Sequence, residues 1–237
     1  MTMRTRAVLF DLDDTLYPER SFVDGGFRAV AAFLALRSGQ PVAALTDRLW
    51  ELHARDGRGR LFDTLIGELG LGDDRDLVLA CLVVYRSHPT DLEPFPGLAT
   101  LLDQLRAAGI RTGVVSDGNA AVQSRKLSGL GSIADRFDAV VMTDLLGPGR
   151  AKPSPVPFRV ACRLLDVPPS ATIYVGNDPR KDFAGAREAG LATIRIGAFP
   201  DEGGSAAIEV ATTDDTDDAD LAVDSFEALS ITLSGMT

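Results

Sequence analysis

The chain has 237 residues, of which 45% are hydrophobic, and it carries a formal net charge of −10 at pH 7. This apolar content excludes a disordered chain, and the acidic balance disfavours nucleic acid and anionic membrane surfaces as partners. The longest apolar runs fall far short of a membrane span, so the sequence predicts a soluble, cytoplasmic protein of one or two domains. Cys81 and Cys162 lie in apolar, helix-like runs, which favours two reduced core thiols over a disulfide.

The first predicted element is a buried strand at Ala7–Phe10, and it runs straight into three carboxylates, Asp11, Asp13 and Asp14. Unpaired carboxylates at the edge of an apolar core are costly, so something must compensate their charge. A bound cation is the simplest candidate. The opening motif therefore predicts a metal site at the end of the first strand.

The next segment, residues 17–93, shows no convincing strand and predicts a helical insertion. Its apolar residues recur at helical spacing and include Val23, Phe27, Val30, Leu34, Leu77, Cys81, Leu82 and Tyr85. Prolines stand at both ends of the segment. The sequence thus predicts a discontinuous core of residues 1–16 and 94–237, with residues 17–93 as a separate helical unit.

Beyond residue 93, short β-branched runs alternate with helical patterns of about ten residues, which is typical of βαβ units in a parallel sheet. The predicted strands cover residues 110–115, 139–142, 172–175 and 192–196, with a last short strand near 221–223. Helices are expected over residues 97–108, 154–165 and 180–189. Residues 214–220 contain five Asp in seven positions, which predicts a solvated loop.

Polar residues follow several of these strands directly. The second strand leads into Ser116 and Asp117, and the fourth strand leads into the run "GNDPRKD". Lys152 lies just before the helix that is predicted over residues 154–165. In an open parallel sheet, ligands bind beyond the carboxyl ends of the strands. Carboxylates there can hold Mg²⁺, while a lysine and a hydroxyl can hold a phosphate. These residues are therefore expected to share one pocket.

Four stretches, "DLDDTL", the Ser116 turn, "AKPSP" and "GNDPRKD", resemble in this order the four motifs of the haloacid dehalogenase-like superfamily. The resemblance covers essentially the whole chain. It implies an α/β fold: a Rossmann-like, three-layer core with a parallel sheet of strand order 5-4-1-2-3 plus an extra strand. It also implies that residues 17–93 form a mobile helical cap of the C1 type, as in subfamily IA.

The resemblance also implies roles for individual residues. Asp11 would be the nucleophile that forms an aspartyl-phosphate, and Asp13 would be the general acid and base. Asp13 must be protonated when it acts as an acid, so we expect neighbouring carboxylates to raise its pKa. Ser116 and the amides after it, beginning with Asp117, would bind the phosphoryl oxygens, and Lys152 would neutralise them. The Asp117 side chain replaces an Asn that is common in the family, and bracing of the turn is an alternative role for it.

The implied cofactor is Mg²⁺, held by Asp11, by the backbone carbonyl of Asp13 and by an acid of the fourth motif. The fit loosens there, because relatives commonly have an acid immediately after the glycine and this chain has Asn177. Asp178 is the preferred metal ligand. Two alternatives stay open: Asn177 can ligate through its amide oxygen, and Asp182 can bind the metal itself or orient Lys152 or a metal-bound water.

The predicted function is hydrolysis of a small phosphorylated metabolite. A phosphomutase or phosphotransferase of the same fold is the main alternative. A dehalogenase is disfavoured, because dehalogenases of the family do not usually carry the second acid, Asp13. A non-catalytic binding module is disfavoured, because the nucleophile, the acid, the lysine and the metal ligands are all present. Within the insertion, a basic loop contains Arg58 and Arg60, which are candidates for contacting an anionic leaving group. A monomer and a homodimer are both compatible with the sequence.

Overall fold

The computed structural model describes residues 4–72, 74–197 and 219–236. The chain divides into two compact units, one comprising Met1–Pro18 with Asp91–Thr237 and the other Glu19–Thr90. Most of the predicted solvated loop, residues 214–218, lies outside the described residues. None of the helices in the described ranges is long and apolar enough to cross a bilayer.

A six-stranded, fully parallel sheet forms the centre of the first unit, in the order β3-β2-β1-β4-β5-β6. Its strands are β1 (Ala7–Phe10), β2 (Arg111–Ser116), β3 (Ala139–Met142), β4 (Thr172–Gly176), β5 (Ala192–Ile196) and β6 (Leu221–Val223). This arrangement confirms the predicted order 5-4-1-2-3, and β6 is the expected extra strand. Because β1 lies at the centre, the segment after it is flanked by the segments after β2 and β4.

Nine helices accompany the strands in the described part of the chain. Four belong to the second unit: α1 (Glu19–Ser38), α2 (Val42–Asp56), α3 (Leu61–Glu68) and α4 (Arg75–Ser87). Five belong to the first: α5 (Leu98–Ala107), α6 (Ala120–Gly129), α7 (Val156–Leu165), α8 (Phe183–Ala189) and α9 (Phe226–Ser234). The first unit therefore has the α/β composition that the alternating pattern predicts.

The sheet is buried on both faces, as parallel sheets require. All four residues of β1 are fully buried. On one face, Leu9 and Tyr174 pack in a cluster with Phe158 of α7 and Phe183 of α8. Helix α5 packs against β2 and also against α9. These layers fix the strand ends rigidly, which is what a site at the edge of the sheet needs.

The helical unit has its own core. Its cluster of buried residues includes Phe27 and Leu34 of α1, Leu49 of α2, Leu65 of α3 and Cys81 of α4. Each of these helices buries one apolar stripe, which matches the helical spacing in the sequence. Cys81 and Cys162 are both buried free thiols, as expected, and burial raises the pKa of Cys81 to about 11.

One close backbone contact explains a glycine in α8. A Cβ atom added at Gly185 would lie 1.8 Å from the carbonyl oxygen of Pro153, far inside any allowed contact. Pro153 follows Lys152 directly, so the small residue lets α8 approach the loop that carries this lysine. The packing of α8 therefore helps to place Lys152.

We predict that Gly185→Ala lowers the free energy of unfolding by ~1–3 kcal/mol or more, because the added methyl group would overlap the backbone of Pro153. Urea unfolding measures the change. The matched control is Ala184→Ser at the exposed neighbouring position of the same helix, which should stay within ~0.5 kcal/mol of wild type. Equal stability of Gly185→Ala and wild type would refute this packing argument.

Candidate active site

The site is built on the carboxyl ends of β1, β2 and β4, which are neighbours in the sheet. Asp11 follows β1 directly, and its amide continues the ladder by donating to the carbonyl oxygen of Val175 over 2.9 Å. The residue is 2% exposed. The sheet thus holds the backbone of Asp11 and leaves only its side chain to reach the edge.

A buried lysine connects two carboxylates at this edge. Lys152 Nζ donates to Asp11 Oδ1 over 2.6 Å, to Asp182 Oδ1 over 2.7 Å and to the Tyr174 hydroxyl oxygen over 3.0 Å. The side chains of Lys152 and Asp182 have no solvent exposure. Burial alone lowers the pKa of Lys152, but the two carboxylates outweigh it and the pKa is raised. The lysine is therefore a permanent positive charge in the site.

Asp11 uses one oxygen for this lysine, and its other oxygen is left open. Burial raises the pKa of Asp11 to about 7; Lys152 opposes the rise and Asp182 adds to it. Asp11 Oδ2 is buried and has no hydrogen-bond partner among the described residues. A buried oxygen of this kind is costly unless a ligand, a metal ion or a reacting atom meets it. Asp11 Oδ2 is therefore the oxygen that is available to attack a substrate or to bind a metal ion.

Asp182 has both of its oxygens engaged. Beyond the lysine, its Oδ1 accepts from the Tyr174 hydroxyl over 3.0 Å, and its Oδ2 accepts from the amides of Asn177 and Asp178 over 3.1 and 2.9 Å. A Cβ atom at Gly176 would lie 2.5 Å from Oδ2, so the glycine of the motif makes room for this carboxylate. The geometry makes Asp182 a residue that orients the lysine and shapes the loop after β4.

Asn177 and Asp178 lie in that loop. Asn177 Oδ1 accepts from the Thr15 hydroxyl over 3.3 Å, which ties the loop after β4 to the loop after β1. The Asp178 side chain is 18% exposed and pairs with Arg180 at 3.1 Å. Burial raises the pKa of Asp178, but the hydrogen bonds and charge of Arg180 outweigh it, so the net pKa is lowered. Asn177 thus places an oxygen beside the loop after β1, whereas the Asp178 oxygens contact Arg180.

The expectation that neighbouring carboxylates raise the pKa of Asp13 is wrong. Burial raises this pKa, but the charge and hydrogen bonds of Lys126, with hydrogen bonds from Tyr17 and Gln123, outweigh burial and lower it. Lys126 Nζ lies 2.9 and 3.0 Å from the two oxygens of Asp13. The dominant neighbour of Asp13 is a cation, so the carboxylate rests ionised.

Gln123 and Lys126 are site residues that the sequence analysis missed. Both belong to α6, which begins immediately after the Ser116 turn and is capped by the Asn119 side chain. Their spacing of three places them on one face of the helix. The sequence signal that could have identified them is an amide and an ammonium side chain three residues apart, in the first turns of a helix that begins beside a ligand-binding edge of the sheet.

The remaining candidates of the second motif have structural contacts. Ser116 is 1% exposed, and its hydroxyl oxygen accepts from Gln123 Nε2 over 2.7 Å. Asp117 Oδ1 accepts from the Thr143 hydroxyl over 2.7 Å and from the amide of Lys152 over 3.1 Å. The Asp117 side chain therefore braces the turn against the lysine loop, which leaves its backbone amide as the group that an anion would meet.

The two arginine candidates lie in the helical unit. The exposed Arg58 side chain pairs with Glu19, and Arg60 precedes α3. Both line a cavity of about 320 Å³ within this unit, together with Phe27, His53, Phe62, Tyr85 and Arg86. His53 Nε2 is buried without a hydrogen-bond partner among the described residues. Burial and the nearby Arg58 lower the pKa of His53, which favours its neutral form.

The donors at the sheet edge fit a hard cation with few protein ligands. Across the described ranges, no three His, Cys, Asp or Glu side chains come together as a metal cluster. Mg²⁺ does not need such a cluster, because it is usually bound through one or two carboxylates and keeps several waters. If Mg²⁺ binds here, Asp11 would supply one carboxylate ligand, and Asp178 or Asn177 would supply a second oxygen.

Comparisons with known proteins agree with this architecture. A family model described as haloacid dehalogenase-like hydrolase matches residues 5–190. Glyceraldehyde 3-phosphate phosphatase of Methanopyrus kandleri is 37% identical over 199 residues, covering 81% of this chain and 83% of that protein. The protein of the same name in Methanocaldococcus jannaschii is 31% identical over 195 residues, covering 81% and 84%. The crystal structure of 2-haloacid dehalogenase from Pseudomonas syringae pv. Tomato DC3000 matches with a TM-score of 0.62 at 26% identity, covering 98% and 100%.

The fold and the strand-end site define an enzyme, and the matched span of residues 5–190 identifies its class. The chain belongs to the haloacid dehalogenase-like hydrolase family. The two relatives described above are named as phosphatases.

The raised pKa of Asp11 predicts a pH-dependent stability when no metal is present. A carboxyl whose pKa rises from 3.8 to about 7 on folding adds stability below about pH 4 that is lost as the pH rises to about 7. In EDTA, the free energy of unfolding should therefore fall by up to ~1.4 kcal/mol per pH unit across this window, relative to Asp11→Asn. Urea unfolding at several pH values measures the difference.

The control for this experiment is Asp166→Asn, at an exposed aspartate that caps α7. It should keep the pH dependence of wild type. Parallel pH profiles for wild type and Asp11→Asn would show that burial does not strain this carboxylate.

Proposed function

We propose that this enzyme is a Mg²⁺-dependent phosphatase that hydrolyses a small phosphorylated metabolite through an aspartyl-phosphate on Asp11. One observation supports this most strongly: Lys152 locks one oxygen of Asp11, and the other oxygen is buried and unpaired. A nucleophile needs that asymmetry, because a fixed carboxylate presents a single oxygen in line with phosphorus.

Charge decides whether this attack is possible. Asp11 and a phosphate group are both anions, and at ~4 Å with an effective dielectric of ~20 they repel by roughly 4 kcal/mol per pair of unit charges. Lys152 lies 2.6 Å from Asp11 and carries a permanent positive charge, so it offsets part of this repulsion. Mg²⁺, when bound, supplies the remaining positive charge. Asp11, the backbone carbonyl of Asp13 and Asp178 would hold it, with Asn177 as an alternative ligand.

The phosphoryl oxygens would be held by Ser116 and by the amides of Asp117 and Gly118. Ser116 Oγ accepts a hydrogen bond from Gln123, so its own hydrogen is available to a phosphoryl oxygen. The Asp117 carboxylate is occupied with the turn, which keeps its negative charge away from the phosphate. This arrangement neutralises and orients the group that is transferred.

Asp13 would serve as the general acid and base. Its lowered pKa makes it ionised at rest, which suits the step in which it accepts a proton from the attacking water. To protonate the leaving alkoxide it must first take up a proton, and the contact with Lys126 opposes this. The contact with Lys126 therefore has two opposed effects on the first step: it disfavours protonation of Asp13, and it holds the carboxylate in place.

Free inorganic phosphate as the product separates this proposal from its alternatives. A phosphomutase would return an isomerised phosphate ester, and a dehalogenase would release halide without Mg²⁺. The similarity to a solved 2-haloacid dehalogenase makes the halide assay worth including. Asp13 favours phosphate chemistry, since attack on carbon does not require a second carboxylate to protonate a leaving alkoxide.

Asp11→Asn should lower phosphate release at least ~10³-fold with Mg²⁺, because the amide is a poor nucleophile. A phosphate-release screen should include glyceraldehyde 3-phosphate, phosphoglycolate, sugar phosphates and nucleoside monophosphates. The control is Asp166→Asn, the same chemical change at the end of α7, which should keep wild-type turnover. Wild-type turnover of Asp11→Asn would disprove the nucleophile assignment.

We further propose that residues 17–93 act as the C1-type cap and that their cavity selects the leaving group. The cavity combines the cationic Arg58, Arg60 and Arg86 with aromatic walls and the unpartnered His53 nitrogen. Such a lining suits a leaving group that carries its own carboxylate or hydroxyl oxygens. Arg58 is already paired with Glu19, which makes Arg60 the better candidate.

Arg60→Met should raise KM about 10-fold for an anionic substrate such as phosphoglycolate and leave kcat within about twofold, because one charge-assisted contact is worth ~1.5 kcal/mol. Steady-state kinetics measures both constants. Arg75→Met, at an exposed position in the same helical unit, is the control. An unchanged KM in Arg60→Met would remove this arginine from the substrate site.

A further inference from the structure

Two polar side chains of α6 are buried although neither belongs to the four motifs. Gln123 is 2% exposed and Lys126 is 4% exposed. Glutamine and lysine are seldom fully buried unless they have partners. Their burial therefore points to a specific partner inside the first unit.

That partner is Asp13. Its Oδ1 accepts from the Tyr17 hydroxyl and from Lys126 Nζ at 2.9 Å, and its Oδ2 accepts from Gln123 Nε2 at 2.8 Å and from Lys126 Nζ at 3.0 Å. Both oxygens are held, and the side chain has a single orientation in which all these contacts are made. The ammonium group bridges the two oxygens symmetrically, which resists rotation of the carboxylate.

Gln123 extends the network to the phosphate-binding turn. Its Nε2 donates to Ser116 Oγ over 2.7 Å as well as to Asp13. An amide nitrogen carries two hydrogens, so both bonds can form at once. One side chain thus ties the proposed acid–base carboxylate to the proposed phosphate-binding hydroxyl.

We propose that Lys126 and Gln123 are positioning residues for the phosphatase reaction: they fix the Asp13 carboxylate relative to Ser116 so that it faces the leaving-group oxygen. This inference rests on the proposed function of Asp13. Neither residue touches the substrate. They act through Asp13 and Ser116, and a misplacement of about 1 Å at such a group can cost about 100-fold in rate.

The dependence on the leaving group distinguishes positioning from mere support of the fold. An alkyl phosphate releases a strongly basic alkoxide, which needs a well-placed proton donor. 4-Nitrophenyl phosphate releases a weakly basic phenolate, which needs little protonation. A loss of positioning should therefore slow the alkyl ester far more than the aryl ester, whereas partial unfolding slows both equally.

Lys126→Met keeps the length of the side chain and removes the ammonium group. We expect kcat/KM, which reports only the steps up to phosphoryl transfer, to fall about 30- to 100-fold for an alkyl phosphate and less than about threefold for 4-nitrophenyl phosphate. Lys126→Arg restores a cation and should recover part of the rate. The control on the same helix is the exposed Arg125→Met, which should match wild type on both esters.

A double-mutant cycle completes the test. In an Asp13→Asn background, adding Lys126→Met should change the alkyl ester rate by less than about twofold, because the group that Lys126 positions is already gone. Equal losses on the two esters, or a full Lys126 effect in the Asp13→Asn background, would overturn the inference.

Gln123→Met keeps the proposal testable if Lys126→Met does not fold. This variant should also lose more activity on the alkyl ester than on the aryl ester. Because Ser116 loses its partner, competitive inhibition by inorganic phosphate should weaken as well. A Gln123→Met variant that behaves like wild type would count against the proposal. A wild-type enzyme without Asp11-dependent phosphate release would instead refute the proposed function itself, so the two failures are distinguishable.

Discussion

The rest of the site depends on one buried ammonium group. Lys152 lies between Asp11 and Asp182 without solvent exposure, at 2.6 and 2.7 Å from their oxygens. Removing one partner from such a group is costly, because it leaves an uncompensated buried charge. The lysine holds Asp11 in one orientation, and Asp182 holds the lysine and the loop after β4. The open oxygen of Asp11 follows from this arrangement.

A second, separate cation serves Asp13. Lys126 lies on α6, and Lys152 lies in the loop before α7, so the two acids of the first motif are oriented by different elements of the core. Asp11 has a raised pKa and one unpaired oxygen, whereas Asp13 has a lowered pKa and several donors. Two aspartates separated by one residue thus have different environments, which suits two different roles in one reaction.

Much of the fold and part of the site can be predicted from the sequence because both follow local patterns. β-branched runs mark the strands, and the parallel order of the strands brings their carboxyl ends together. For this reason Lys152 and Asp11 can be expected to meet although they lie 141 residues apart in the sequence. The protonation of Asp13 cannot be predicted in this way. Adjacent carboxylates suggest repulsion, but the partner that decides the pKa is Lys126, 113 residues away. The helix start at Phe183, later than the predicted start at residue 180, likewise depends on a tertiary contact, because Asp182 accepts from Lys152 as well as from the loop amides before α8 begins.

The most direct test of the central claim is mass spectrometry of enzyme quenched in acid during turnover of a phosphate ester with Mg²⁺. If Asp11 is the nucleophile, a phosphoryl adduct forms on the peptide that contains Asp11, at a rate that supports turnover. Steady release of phosphate with the adduct on another residue, or with no adduct under conditions that preserve acyl phosphates, would contradict it.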